Sequence, residues 1–301
     1  MPAASLHALL AQSIDYAGLF PPCSLDLEPA LRNQASYTRD DDASMLGSFV
    51  LPIAKFEEAK NYLSQFDQKH PLRISALGAR TESPSAFRET LTGYMQIMRE
   101  LVKSRGAILS ITQLEMPLPT DVDAALLADT RSILDGLPTF LEAPADSAER
   151  MIALFAENDS DKTLGFKLRT GGVTADVFPT SSQIARALIA AANQRVPIKF
   201  TAGLHHPVRM FRAEVETKMH GFLNVLGAAV LAAEHNWDER QTSAMLEDED
   251  PTSFSFSDES FAWGEWKIGT DQIKARRKFV TSFGSCSFDE PREDLRALNL
   301  L

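Results

Sequence analysis

The sequence predicts one (β/α)8 barrel taking in residues 1–301, with a short C-terminal extension. Three features carry that expectation. Apolar runs alternate with amphipathic stretches from residue 47 onward, as strands and helices do in repeated βαβ units. The runs number about eight, which is what a closed barrel needs. No GxGxxG follows the first strand, which argues against an open dinucleotide-binding sheet.

The elements follow in order. A short helix is expected over 5–13, then an apolar segment at Ala17–Phe20 stopped by Pro21 and Pro22, then a helix over Asp26–Tyr37 with Leu27, Ala30 and Leu31 on one face. Strand and helix then alternate: GSFVLP (47–52) and Lys55–Phe66; LRISALGA (72–79) and Pro84–Arg105; AILSITQLEMP (107–117) and Asp121–Leu134; PTFLEAP (138–144) and Ser147–Asn158. Two strands with one lysine each come next, GFKLRTGG and IKFTAGLHH, joined by a helix over Ser181–Asn193. A strongly apolar helix covers 219–235, suited to the core or to a second copy of the chain, and a short helix covers Glu239–Leu246. SFSFSDESFAWGEW (253–266) alternates like a strand and its turn. A helix over Asp271–Ser282, a Gly/Ser turn and a last short helix close the chain.

Composition excludes some roles. The chain has 301 residues, 44% of them hydrophobic, enough for a sizeable core, and a net charge of −11 that repels phosphate backbones, so nucleic acid is not an expected partner. Neither a signal peptide nor a membrane span is evident, and Cys23 and Cys286 have no metal or disulfide spacing. A cytoplasmic protein with free thiols is the expectation.

Side chains alternate along a strand. Phe166 and Leu168 therefore share one face and Lys167 and Arg169 the other, while Ile198 and Phe200 oppose Lys199 and Thr201. The apolar face belongs against the helices, which puts both lysines inside, near the carboxyl ends of neighbouring strands. Ligand sites of parallel α/β proteins lie at those ends. The candidate set there is Glu115, Glu142, Lys167, Arg169, Thr170, Gly171, Gly172, Lys199, Thr201, His205 and His206. A lysine among other cations in a low-dielectric site has a lowered pKa and can attack a carbonyl. Arg169 and Lys199 would supply that depression for Lys167. Pairing with Glu142 or Glu115, or gripping an anion as a plain cation, is the other reading. Thr170-Gly171-Gly172 suits an anion-binding turn, and His205 suits proton transfer.

Lys167, Thr170, Gly171 and Pro179, followed by Lys199-Phe200-Thr201-Ala202-Gly203, resemble deoxyribose-phosphate aldolase over about 40 residues. That family consists of class I aldolases on a (β/α)8 barrel with a K-x-x-T-G nucleophile strand. The resemblance implies that Lys167 is the Schiff-base lysine and Lys199 the cation that lowers its pKa. Glu115 is a candidate, by strand order, for the proton relay. The chain departs from the family at Arg169, which stands where a small hydroxyl residue is usual, and in its second motif, which lacks paired glycines and ends in His205-His206. It also resembles a widespread bacterial group sharing FKLRTGG, KFTAGLHHP, MHGFLN and FGSCSF, which implies a common fold and site but no reaction.

The leading expectation is a Schiff-base carbon–carbon lyase acting on a small oxo- or phosphorylated anionic substrate, without a cofactor or a metal. Lys167, Lys199, Glu115 and His205 would be catalytic. Arg169, Thr170, Gly171, Gly172, Thr201, Glu142 and His206 would bind substrate. The alternatives are a metal-dependent hydrolase or isomerase using His205, His206 and a glutamate, with His220 nearby, and a non-catalytic barrel that binds a small anion.

Overall fold

The computed structural model describes residues 2–301. Eight parallel strands close into a barrel: β1 (Ile14–Tyr16), β2 (Leu46–Pro52), β3 (Leu72–Leu77), β4 (Leu109–Pro117), β5 (Thr139–Glu142), β6 (Leu164–Arg169), β7 (Ile198–Thr201) and, last in the chain, β13 (Val280–Ser285). Strand β13 pairs with both β7 and β1, which closes the ring. Five short strands lie outside it. A hairpin of β8 (Met210–Arg212) and β9 (Thr217–Met219) follows β7, and an antiparallel sheet is formed by β10 (Phe254–Phe256), β11 (Ser260–Trp263) and β12 (Trp266–Gly269).

The helices form where periodicity and caps agree. Helix 84–105 starts at Ser83, whose hydroxyl accepts from the Ala86 amide at 3.2 Å, with Pro84 in its first turn. Helix 181–194 has a full capping box: Thr180 accepts from the Gln183 amide at 3.2 Å, and the Gln183 side chain accepts from the Thr180 amide at 2.7 Å. Outward-facing Leu114, Leu141, Phe166, Leu168, Ile198, Phe200 and Phe283 are all buried between barrel and helices. No helix among the described residues is long and apolar enough to cross a membrane.

The two ends of the barrel differ from the sequence reading. The first strand, Ile14–Tyr16, was not expected and precedes the apolar segment at Ala17–Phe20, and the opening helix ends at Leu10. The eighth barrel strand is not 253–266. That stretch forms the antiparallel sheet, while the predicted helix over Asp271–Ser282 ends at Arg276 and hands over to β13. The physical reason lies in helix 222–235, which apart from Asn224 is apolar on every side from Phe222 to Ala232 and buried throughout that span. Such a helix must be covered on every side. Its inner side stacks Phe222 on Phe283 of β13, with ring centroids 5.2 Å apart. At Gly227 on its outer side, the Phe261 ring and Met245 come so close that a Cβ would meet them at 2.9 and 2.5 Å. The helix thus faces core on both sides.

Candidate active site

The barrel interior is polar at its centre. Alternate positions of apolar strands turn inward and carry Asp15, Ser48, Ser75, Gln113, Glu115, Glu142, Lys167, Lys199 and Ser282. Strand register sets Glu142 beside Lys167 and Lys167 beside Lys199. The register of β3 and β4 shifts between Ile74 and Ser75, so Ser75 pairs with Gln113 and leaves Thr112 as the extra residue. Bulges re-aim side chains near functional sites. Here Thr112 reaches the Ser48 hydroxyl at 2.8 Å, and Gln113 donates to Ser75 at 2.9 Å and to Asp15 at 3.1 Å.

Glu115 is the hub. One of its oxygens lies 2.9 Å from the Lys167 amine, and the other accepts from Lys199 and, at 2.5 Å, from the Ser75 hydroxyl. Lys199 also bonds Asp15 at 2.7 Å and lies 5.5 Å from the Phe140 ring centroid. Asp15 is held in turn by Ser282 Oγ at 2.7 Å and the Ser48 amide at 2.7 Å. Lys167 makes a second ion pair with Glu142, at 3.0 Å. Lys199, Glu115 and Lys167 are 1%, 2% and 4% exposed. Charges this deep persist only when paired and hydrogen-bonded.

The sequence reading had two neighbouring cations lowering the Lys167 pKa. The structure reverses the sign. Burial does act against the charge, but the attraction of Glu115 and then Glu142 outweighs it, so the Lys167 pKa is raised. Burial likewise works against the Glu115 carboxylate, yet Lys167 and Lys199 hold its pKa far below the ordinary range. Arg169 sits 4.0 Å from the Glu142 oxygen that Lys167 does not pair with, and its side chain is 53% exposed.

A cavity of about 420 Å³ opens at the carboxyl ends of the strands. Glu115, Glu142, Lys167, Arg169, Gly172, Thr201 and His205 line it, together with apolar residues that include Phe20, Pro21 and Val50. A larger cavity, about 1230 Å³, opens at the amino ends and reaches Asp15 from below. The lysine amine that could react opens into the smaller one.

Among the predicted residues, Lys199 does not line the cavity and is joined to it through Glu115. Thr170 and Gly171 do not line the cavity. The Thr170 hydroxyl ties β6 to β7 through the carbonyls of Thr201, at 3.2 Å, and Ala202, at 2.5 Å. His206 turns away to Asp294 at 2.6 Å, whereas His205 stays at the rim with Nδ1 3.0 Å from Glu290. His220 is buried against the Pro179 carbonyl at 2.8 Å, and burial pushes its pKa down to about 4. The three histidines diverge, and no group of three or more metal-ligating side chains converges among the described residues. Asn224 is a satisfied core amide, accepting from the Arg209 amide and donating to the carbonyls of Met245 and Asp248. The sequence reading missed Asp15, Ser75, Gln113 and Ser282. Their signal was present as polar residues at alternate positions of apolar strands.

No protein-family model matches the chain, and no curated protein matches it in sequence. Some solved structures are similar in fold. One, "QR15, an Aldolase", is similar over 97% of both chains with a TM-score of 0.51 and 8% identity. Another bears the provisional name of a deoxyribose-phosphate aldolase from Coccidioides immitis, with a TM-score of 0.42 and 13% identity over 67% of this chain and 76% of its own. At such identities the likeness is one of fold.

Proposed function

We propose that the protein is a class I aldolase-like lyase in which Lys167 forms a Schiff base with a small carbonyl substrate. The observation that carries this reading is a buried amine opening into a cavity with a carboxylate on either side. Lys167 rests as a cation and must lose a proton before it can attack. Glu142 suits that transfer: it lies 3.0 Å away and lines the cavity, and its side chain is 16% exposed. The amine then bonds to the carbonyl carbon, and Glu142 returns the proton to the oxygen that leaves as water. The protonated imine draws in the electron pair of the bond between its alpha and beta carbons; that bond breaks as the hydroxyl on the beta carbon gives its proton to Glu142, and the fragment leaves as an aldehyde. Protonation of the resulting enamine and hydrolysis of the imine free the lysine. Glu115 stays ionised and stabilises the cationic imine. Lys199 is a positioning residue that acts through Glu115. Arg169 holds an anionic group of the substrate at the mouth, and His205 moves protons at the rim.

Borohydride reduction in the presence of pyruvate or simple aldehydes tests the reading. The expected result is one adduct per chain, located at Lys167 by peptide mapping. Absence of any adduct across a broad panel of carbonyl compounds would leave the second reading, an anion-binding barrel. That reading draws on the raised Lys167 pKa and on Arg169 exposed at the mouth.

A further inference from the structure

The loop after β1, residues 17–26, crosses the mouth of the barrel and contributes Ala17, Phe20, Pro21 and Pro22 to the cavity wall. It is tethered at its start, where the Ala17 amide donates to the Ser285 carbonyl at 2.7 Å, and closed on itself by the Leu25 amide on the Gly18 carbonyl at 2.9 Å. Cys23 lies on this loop and is exposed; Cys286, the first residue after β13, is buried and lines the cavity. These are the two cysteines of the chain. Although 263 residues apart in sequence, their sulfurs are 3.1 Å apart. A disulfide bond is about 2.05 Å long, so closure needs a shift of roughly 1 Å. An exposed loop side chain can supply it.

We propose that Cys23 and Cys286 are a reversible thiol–disulfide pair, oxidised by a peroxide, whose closure fastens the 17–26 loop across the cavity mouth. The exposed sulfur of Cys23 meets the oxidant first. It displaces water from hydrogen peroxide and becomes a sulfenic acid. The sulfur of Cys286 then attacks that sulfur, and its proton leaves with the hydroxyl group as a second water. Two thiols and one peroxide thus give one disulfide and two waters. Burial pushes the Cys286 thiol up to about 12, which makes it the slower of the two thiols to meet an oxidant. The resulting crosslink joins the first loop of the barrel to the end of its last strand, beside His205, whose Nδ1 is 4.0 Å from the Cys286 sulfur.

The thiol chemistry stands apart from the lysine chemistry; only its effect on substrate entry rests on the function proposed above. The test treats the reduced full-length chain with hydrogen peroxide. Intact mass should fall by about 2 Da, both thiols should vanish from maleimide titration, and dithiothreitol should restore them. Amide exchange over residues 18–25 should slow roughly tenfold in the oxidised form. Cys23→Ser and, separately, Cys286→Ala should abolish the mass loss and the slowing. The idea is overturned if the thiols persist, if oxidation stops at a sulfinic acid on Cys23, if the crosslink joins two chains, or if it forms without slowing exchange. Imine trapping at Lys167 with cyanoborohydride, which leaves disulfides intact, should be several-fold slower in the oxidised chain. If neither form traps a carbonyl, the lyase reading fails, while mass, thiol count and exchange still decide the disulfide.

Discussion

Lys167 carries opposing requirements in one side chain. Glu115 and Glu142 keep it charged at rest, and the proposed reaction needs it neutral. The trapping rate should therefore rise with pH through the neutral and alkaline range, without a plateau below the ordinary lysine value of 10.5, because the pKa lies above it. In Glu115→Gln the largest attraction is lost and burial prevails, so the pH profile should move toward acid by about 1 unit or more. Lys167→Met should abolish the adduct, lowering trapping by about 10³-fold or more. It also leaves Glu142 without its lysine and Glu115 with Lys199 alone. Breaking a buried pair in this way costs about 3 kcal/mol, readable in chemical denaturation.

At the scale of elements, the turns after β6 and β7 set the shape of the mouth. Gly203 has φ = +78°, and a Cβ there would meet the Gly171 Cα and the Thr170 carbonyl oxygen, each at 2.9 Å. The neighbouring Ala202 also has a positive φ, +60°. Backbone meets backbone here, and neither turn can yield without moving its strand. Gly203→Ala should cost about 2 kcal/mol and lower Tm, and should spread the two turns enough to weaken trapping. The hydrogen bonds of Thr170 fasten the same crossing. This gives the T-G of the first lysine motif and the A-G of the second a structural duty, joining the strands that carry the two amines.

For the whole molecule, the interior network makes stability depend on pH from both sides. Glu115 has a folded-state pKa far below its ordinary value of 4.5. Its contribution is complete above that value and is lost as pH falls through the range below it. Lys167 has a folded-state pKa above 10.5. Its contribution is complete below that value and is lost as pH rises through the higher folded one. Thermal unfolding followed across pH should therefore show a broad plateau, falling below about pH 4.5, where Glu115 of the unfolded chain takes up a proton while that of the folded chain stays ionised. Glu115→Gln should reduce the acid slope, and an unchanged slope in that variant would assign acid unfolding to surface carboxylates. The barrel closes through β1 and β13, so this network, which includes Asp15 and Ser282, is complete only when both ends of the chain are in place.

Much of this was legible in the order of residues. Strict alternation in GFKLRT and IKFT puts both lysines inside any barrel those strands join, whatever its helices do. The Pro84 start with its Ser83 cap, and the apolar stripe behind it, place helix 84–105. The three-residue β1 was not legible, since Ile14–Tyr16 is too short to show a period. Nor was β13, because its Gly284 and Ser285 read as a turn. The alternating 253–266 stretch imitated a barrel strand because an antiparallel sheet over an apolar helix needs the same pattern. The sequence by itself determined that Lys167 and Lys199 would share an inner surface, since side-chain direction in a strand is local geometry. Only the tertiary structure decided the sign of the Lys167 shift. That sign depends on which charges lie within a few ångströms, and Glu115 and Glu142 arrive from two other strands, β4 and β5.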